Sequence, residues 1–241
     1  MEIEQEIQRS ILKKLMHEPD QGFNRLWAKE SESNRFAYHL KTLVDQGLVE
    51  KHGDAYRLSA KGVSYVTYLD GATGKRKEKP VVCSFVIGYD AGEEKVLVNI
   101  RRKEPFYDYL GIPGGKIEMG TSPMQTAREE FLEETGLTGP LKLVAMSNYT
   151  TEDITSRKLL HHVISYTYLC SDSRGSLKKR TREGENRWIF VDEIDKHRCY
   201  PEIPHFIKTV LLNRDRISFF NIHRYQKDGE FLKEFDIVEE F

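Results

Sequence analysis

The stretch Gly114 to Leu137, GGKIEMGTSPMQTAREEFLEETGL, constrains this chain more than any other, because it joins a glycine bend to a short carboxylate-rich helix. Thr121 or Ser122 is suited to cap a helix running from about Pro123 to Thr135, and Gly136 stands where a left-handed residue ends such a helix. Glu130, Glu133 and Glu134 stand at i, i+3 and i+4, so they project from one face within a single turn. Three like charges this close repel. A hard divalent cation such as Mg2+ or Mn2+ relieves that repulsion and bridges to phosphate oxygens. Phe131, Ala127 and Met124 suit the opposite, buried face. The bland reading of such a run is a solvated acidic face. The glycine turn at a fixed distance upstream is what favours chemistry.

Counted from Gly115, the spacing resembles the Nudix box, the loop-helix-loop signature G-x5-E-x7-R-E-U-x-E-E-x-G-U, with U a bulky apolar residue. Glu130 matches the second Glu, Phe131 the U, Glu133 and Glu134 the metal pair, and Gly136 and Leu137 the end. Thr121 replaces the first Glu and Glu129 replaces the Arg. The resemblance implies an α/β/α sandwich around a mixed sheet from about residue 80 onward. It also implies metal held by Gly115, Glu130, Glu133 and Glu134, and hydrolysis of a diphosphate bond in a nucleotide-type small molecule.

Strand patterns flank the box: Val81 to Gly88, Lys95 to Arg101, Leu141 to Thr150 and Leu159 to Cys170. KVLVNIRR followed by LGIPGGKIE extends the Nudix resemblance. Between them, Phe106, Tyr107 and Tyr109 either stack a flat group or seal a sheet edge. Arg101 and Arg157 are candidates to meet substrate phosphate, the latter in TEDITSRK, read as a polar loop at the site rim. His161 and His162 read as sheet residues. Glu183 to Ile194 resembles the late Nudix stretch in which an acidic residue supplies a further metal ligand or a base; Glu185 is the first candidate and Glu183 the second. Glu202 to Arg214 has the spacing of a packed helix. Ile217 to Tyr225 and Glu230 to Val238 straddle Lys227-Asp228-Gly229 as an added hairpin that extends a sheet, covers the linker or forms a dimer contact.

The 241 residues suffice for one large domain or two small ones, and the formal net charge of -1 argues against a generic polyanion binder. No apolar run approaches membrane-spanning length, and the three scattered cysteines form no CxxC pair. The expectation is a cytoplasmic protein with buried thiols and no membrane partner.

The first part has its own pattern. A stripe from Ile3 to Met16 ends at Pro19-Asp20-Gln21-Gly22; a short helix follows near Phe23 to Lys29; Ser33 is placed to cap a third, ending at Gly47. Leu48 to Lys51 and Ala55 to Leu58 then read as a hairpin, and Ser59 caps a helix to about Leu69. HLKTLVDQGLVEK and YRLSAKG resemble winged helix-turn-helix domains, α+β in class, over residues 1–70. That resemblance implies double-stranded DNA as a partner, met by Arg35, Tyr38, Lys41 and Lys51, and both resemblances imply a homodimer. Acidic Glu30, Glu32, Asp45 and Glu50 nearby leave protein docking or dimerisation as the other reading. Residues 71–79 form the connector, and 80–241 the second domain with its added hairpin. Two functions compete: a Mg2+-dependent hydrolase fused to a winged helix, or a regulator whose second domain senses a nucleotide-like ligand without efficient hydrolysis.

Overall fold

The computed structural model describes residues 6–29, 31–69, 78–102, 106–182 and 184–240. The chain divides into two compact units, Met1–Glu78 and Lys79–Phe241. Most of the expected connector and the candidate Glu183 lie outside the described residues.

In the first unit, α1 (Glu6–His17) buries Ile11, Leu12 and Leu15, spaced as one helical face. It ends where the Gln21 side chain donates to the carbonyls of Lys14 and Glu18. Then come β1 (Gln21–Gly22), α2 (Phe23–Trp27), α3 (Ser33–Asp45), β2 (Val49–His52), β3 (Ala55–Leu58) and α4 (Ala60–Val66). Phe36, Leu40 and Leu43 of α3 close the core over α1. The three strands form an antiparallel sheet in the order β1-β3-β2. Sequence spacing misses β1, since two residues are too few to show alternation. Ser33 does not cap α3: it is the first helical residue, and Glu32 holds the cap position with no side-chain bond. Ser59 does cap α4, its hydroxyl accepting from the Gly62 N–H.

The second unit continues with β4 (Val81–Asp90), β5 (Lys95–Arg101), β6 (Leu110–Gly111), β7 (Gly114–Lys116), α5 (Pro123–Thr135), β8 (Leu137–Thr138) and β9 (Lys142–Asp153). Next are β10 (Lys158–Cys170), β11 (Arg174–Gly175), β12 (Gly184–Phe190), a 3-10 turn (Val191–Lys196), α6 (Ile203–Leu212), β13 (Ser218–Lys227) and β14 (Glu230–Glu240). The main sheet runs β12-β5-β4-β10-β9-β13-β14, with β6 on β5 and β7 on β4. It is mixed: β10 runs parallel to β4 and β13 parallel to β9, the other pairs being antiparallel. Ala127 and Phe131 of α5 pack on one face against Val86, Leu97 and Tyr168. Phe206, Ile207 and Val210 of α6 pack on the other against Val98, Ala145, Phe220 and Ile222. Two helical layers thus enclose one sheet, the α/β/α arrangement expected from the sequence.

TEDITSRK is not a rim loop. β9 and β10 run through it, and only Ile154–Arg157 turns, held by Asp153 accepting from the N–H and hydroxyl of Ser156. The C-terminal hairpin extends the sheet, which settles one of its three possible roles.

Candidate functional site

Two consecutive glycines fix how α5 meets the sheet. Gly114 has φ 151°, and a Cβ there would lie 2.2 Å from the Ser84 carbonyl oxygen and 2.8 Å from Phe85 Cα. No side chain fits between those backbone atoms, and few residues other than glycine adopt that φ. At Gly115 a Cβ would lie 2.2 Å from Glu130 Oε1 and 2.5 Å from its Cδ. The missing methyl group is therefore what lets the Glu130 carboxylate rest on the turn.

Ser122 caps α5, its hydroxyl accepting from the Gln125 N–H, and Pro123 opens the helix with φ already suited to it. The buried Ser84 hydroxyl donates to the Pro123 carbonyl at 2.7 Å, tying the start of α5 to β4. Gly136 closes the helix at φ 75°. The last four carbonyls of a helix ordinarily lack partners. Here each has one: Leu132 accepts from Gly136 N, Glu133 from Lys178 Nζ, Glu134 from Asn186 Nδ2 at 2.7 Å, and Thr135 from Lys178 N. Asn186 is buried, also donates to the Lys178 carbonyl, and accepts from Asn99 Nδ2 at 2.8 Å. The glutamate-bearing turn is thereby held from β12.

The three glutamates do not share one orientation. Glu130 lies on Gly115; Glu134 Oε2 accepts from the Gly114 N–H at 2.9 Å; the Glu133 side chain is 74% exposed, with an Arg182 nitrogen 3.9 Å from Oε1. Among the described residues no group of three or more His, Cys, Asp or Glu side chains is arranged to hold a metal ion. The expected convergence of three carboxylates is thus not the arrangement seen, because two of them turn inward to the glycine backbone and one turns out. Cys83, beside Lys116 on β7, is pushed up to about 11 by burial, so its thiol stays protonated near Glu130.

The departures from the box are visible. Thr121 donates to the Glu118 carbonyl and meets the Thr126 hydroxyl at 3.2 Å. Glu129 accepts from Gln125 Nε2 on the exposed side of α5.

Glu185 is charge-paired. Strand alternation puts it on the opposite side of β12 from Asn186, and its carboxylate lies 3.4 Å from Arg102 Nε, 3.6 Å from an Arg180 nitrogen and 3.7 Å from an Arg187 nitrogen. Charge pairing occupies it, and it does not join the glutamates of α5. Asn186, one residue on, is the position the sequence reading missed; its signal was a polar residue at inward parity in the Trp188-containing strand.

Of the aromatic candidates, Phe106 and Tyr109 do not stand open. They join Tyr200 and Phe231 in a cluster whose ring centroids are 5.2 to 5.8 Å apart, while Tyr107 stays exposed beside Arg102. Tyr200 and Phe231 carried no local sequence signal, being distant in the chain and gathered only by the sheet. His161 packs on Phe106, and its pKa is lowered by burial and by Arg224. His162 meets Asn148 Oδ1 on the other face. Arg157 sits at the hairpin tip, paired with Glu152 at 3.4 Å. Arg101 pairs through its backbone with Gly184 at the end of β5.

The nucleic-acid candidates belong to the first unit. Tyr38 is 67% exposed on α3 and Arg35 shares that helix; Lys41 is paired with Asp45 at 2.6 Å, and Lys51 on β2 lies 6.0 Å from the Tyr56 ring. Arg57, on the hairpin, is paired with Glu50 at 2.7 Å.

Residues 79–210 match the model of the NUDIX domain. Comparison with curated proteins found no match. Among solved structures, the chain is similar to a MutT protein of Bacillus halodurans, at 24% identity and TM-score 0.54, over 65% of this chain and 97% of that one. It is also similar to the NUDIX domain of Shewanella oneidensis NrtR, complexed with ADP ribose, at 16% identity and TM-score 0.49, over 63% and 97%. The first of these likenesses bears on the fold. No helix among the described residues is long and apolar enough to cross a membrane.

Proposed function

Since the NUDIX model covers residues 79–210, more than half of the 241, the chain belongs to the Nudix family, and from that premise we propose a Mg2+- or Mn2+-dependent hydrolase that cleaves the diphosphate bond of a nucleoside diphosphate linked to another group. Nudix hydrolases generally use divalent metal ions. The donor set here suits one: carboxylate oxygens for a hard cation, and a glycine whose missing Cβ leaves room for Glu130. Glu130, Glu134 and the Gly115 carbonyl would hold it, with Glu133 joining them once its side chain, here turned to solvent, swings toward the bend. When bound, such an ion polarises a phosphoryl oxygen and lowers the pKa of water.

The protein's own groups do the rest. Gly114 lets the bend lie directly against β4, and Gly115 lets the Glu130 carboxylate lie on the bend. Satisfied carbonyls at the end of α5 keep the glutamates from drifting, which matters where positioning dominates the rate. A glutamate of this set would accept the proton from attacking water. The single observation that carries this reading is the Glu130 carboxylate packed on Gly115.

The test is a panel of nucleoside diphosphate sugars, dinucleoside polyphosphates, ADP-ribose and NAD with Mg2+. A phosphorylated product is expected, and Glu133→Gln is expected to lower its rate by orders of magnitude with little change in stability. No product from any member would refute the reading.

A second reading rests on Glu129, which bonds Gln125 on the outer side of α5 where the box has an arginine. In it the domain binds a nucleotide-like ligand without efficient turnover, and the first unit contacts DNA through α3. Thr121→Glu with Glu129→Arg would then raise activity steeply; unchanged robust activity would remove this reading.

A further inference from the structure

On the α6 face the buried pair of Glu202 and Arg224, 3.3 Å apart, is packed among Tyr149, Tyr200 and Phe231, and those side chains fill the space around it. The charge that faces solvent gathers elsewhere, along the outer strand of the main sheet. From residue 178 to 187 the chain carries five cations, Lys178, Lys179, Arg180, Arg182 and Arg187, against the acids Glu183 and Glu185, although its formal net charge over 241 residues is -1. β12 is the outermost strand, and the segment before it folds back on its start, with the Asn186 N–H donating to the Lys179 carbonyl at 3.0 Å and Arg180 bridging to Glu185. β5 delivers Arg102 to the same end, because Arg101 is paired with Gly184. Two basic runs far apart in the sequence thus meet at one corner of the sheet.

Like charges brought together repel, and one carboxylate holds these in place. Glu185, its side chain 26% exposed, lies 3.4 Å from Arg102, 3.6 Å from Arg180 and 3.7 Å from Arg187. Arg102 meets Asp108 as well. One negative charge shared by three guanidinium groups leaves positive charge unmatched, and it faces outward: the Arg180 side chain is 83% exposed and that of Arg187 45%. The planar fork of a guanidinium matches the paired oxygens of a phosphate. Beside the cluster Tyr107 is 49% exposed, its ring centre 5.8 Å from the Arg102 guanidinium carbon. An open ring next to a row of arginines is a stacking surface of the kind that unpaired bases use. An acidic peptide or an inorganic polyphosphate answers the arginines but not the ring, and a duplex keeps its bases out of the ring's reach.

We propose that the β12 border, through Arg102, Lys179, Arg180 and Arg187 together with Tyr107, is a binding track for single-stranded nucleic acid, the guanidinium groups holding phosphates and Tyr107 stacking on a base. Glu185 is the organiser that keeps the three arginines side by side. The track uses none of the groups assigned to the metal and goes beyond the hydrolase reading. It belongs to the second unit, whereas α3 belongs to the first.

The test is fluorescence anisotropy on the full chain in EDTA, with a labelled oligouridylate of about 12 nucleotides. Without metal the result stands whether or not diphosphates are hydrolysed. Binding is expected to weaken about 20- to 50-fold between about 50 and 200 mM salt, the dependence for about three to four phosphates of a single strand. Arg180→Gln combined with Arg187→Gln removes two of those contacts, so affinity falls and the same salt step costs only about three- to sevenfold. Both positions are exposed, and the melting temperature should stay within about 2 °C of the parent. Tyr107→Ser is expected to weaken the oligouridylate about fivefold or more and to leave inorganic polyphosphate unaffected. Absence of oligouridylate binding at the lower salt overturns the proposal. So does binding that is unchanged by the double arginine substitution and lost with Lys41→Gln and Lys51→Gln, which places it on the first unit. Tighter binding of a duplex or of polyphosphate of the same length overturns it too.

Discussion

Replacing Gly114 and Gly115 in turn by alanine asks for opposite outcomes from neighbouring residues. At Gly114 the new methyl would sit 2.2 Å from the Ser84 carbonyl oxygen and 2.8 Å from Phe85 Cα, both backbone atoms, at φ 151°. Backbone cannot step aside as a side chain can. Strain and overpacking of this kind cost about 1–3 kcal/mol each, so Gly114→Ala should lose about 3 kcal/mol or more. For a unit of this size that is about 6–12 °C in melting temperature. At Gly115 the obstacle is the far end of Glu130, whose Oε1 would be 2.2 Å away, and a carboxylate on three rotatable bonds swings clear. Gly115→Ala should therefore melt within about 2–4 °C of the parent, corresponding to a cost of about 1 kcal/mol or less. Displacing a positioned group by about 1 Å costs on the order of 100-fold in rate, about 2.7 kcal/mol of barrier. Calorimetric melts with and without Mg2+, paired with steady-state turnover on the most active panel substrate, read both effects. Equal destabilisation by the two substitutions, or a Gly115→Ala enzyme turning over at the parent rate, would refute the argument that the missing Cβ at 115 exists for Glu130.

Asn186→Ala leaves Asn99 Nδ2 and the carbonyls of Glu134 and Lys178 without this shared partner; a loss of about 2–3 kcal/mol by chemical denaturation is expected, and a change under about 0.5 kcal/mol would deny Asn186 its role in holding α5. All three thiols are raised by burial, Cys83 and Cys199 to about 11, so only a small thiolate fraction exists below those values. Native protein at pH 8 should therefore react slowly with a disulfide reagent, with rates rising as pH climbs toward 11 and all three groups reacting promptly in denaturant; prompt labelling of the native protein would contradict the burial. Lys178→Met removes the ammonium bonded to the Glu133 carbonyl but keeps the Lys178 backbone bond to Thr135, so a loss of about 1 kcal/mol is expected in the same denaturation experiment.

What could be read beforehand was local. The Ser122 cap, the helix to Thr135 and the left-handed Gly136 follow from residues adjacent in the chain, and alternation in β10 shows on its face. For Glu185, charge and a place after the box were legible, but its three arginine neighbours were not, because they depend on the strand's parity and pairing. The polar TEDITSRK likewise looked like a loop, yet its first residues, Thr151 to Asp153, pair with β13 as well as with β10, a long-range pairing that local polarity does not reveal. Glu202, Arg224 and Phe231 were invisible because their meeting depends on β13 choosing β9 as a parallel neighbour, a long-range pairing that periodicity alone does not encode.

That pairing has a price in timing. Ser218 of β13 lies beside Ala145 of β9, so a chain emerging from the ribosome through Leu212 already contains the whole of α5 and its glutamates while the outer border of β9 remains bare. During that interval the strand is a template for any other nascent chain nearby, and Glu202 has not yet met its cation. Slow translation just before residue 218, or high expression, should thus drive this protein into aggregates more readily than its finished form would suggest.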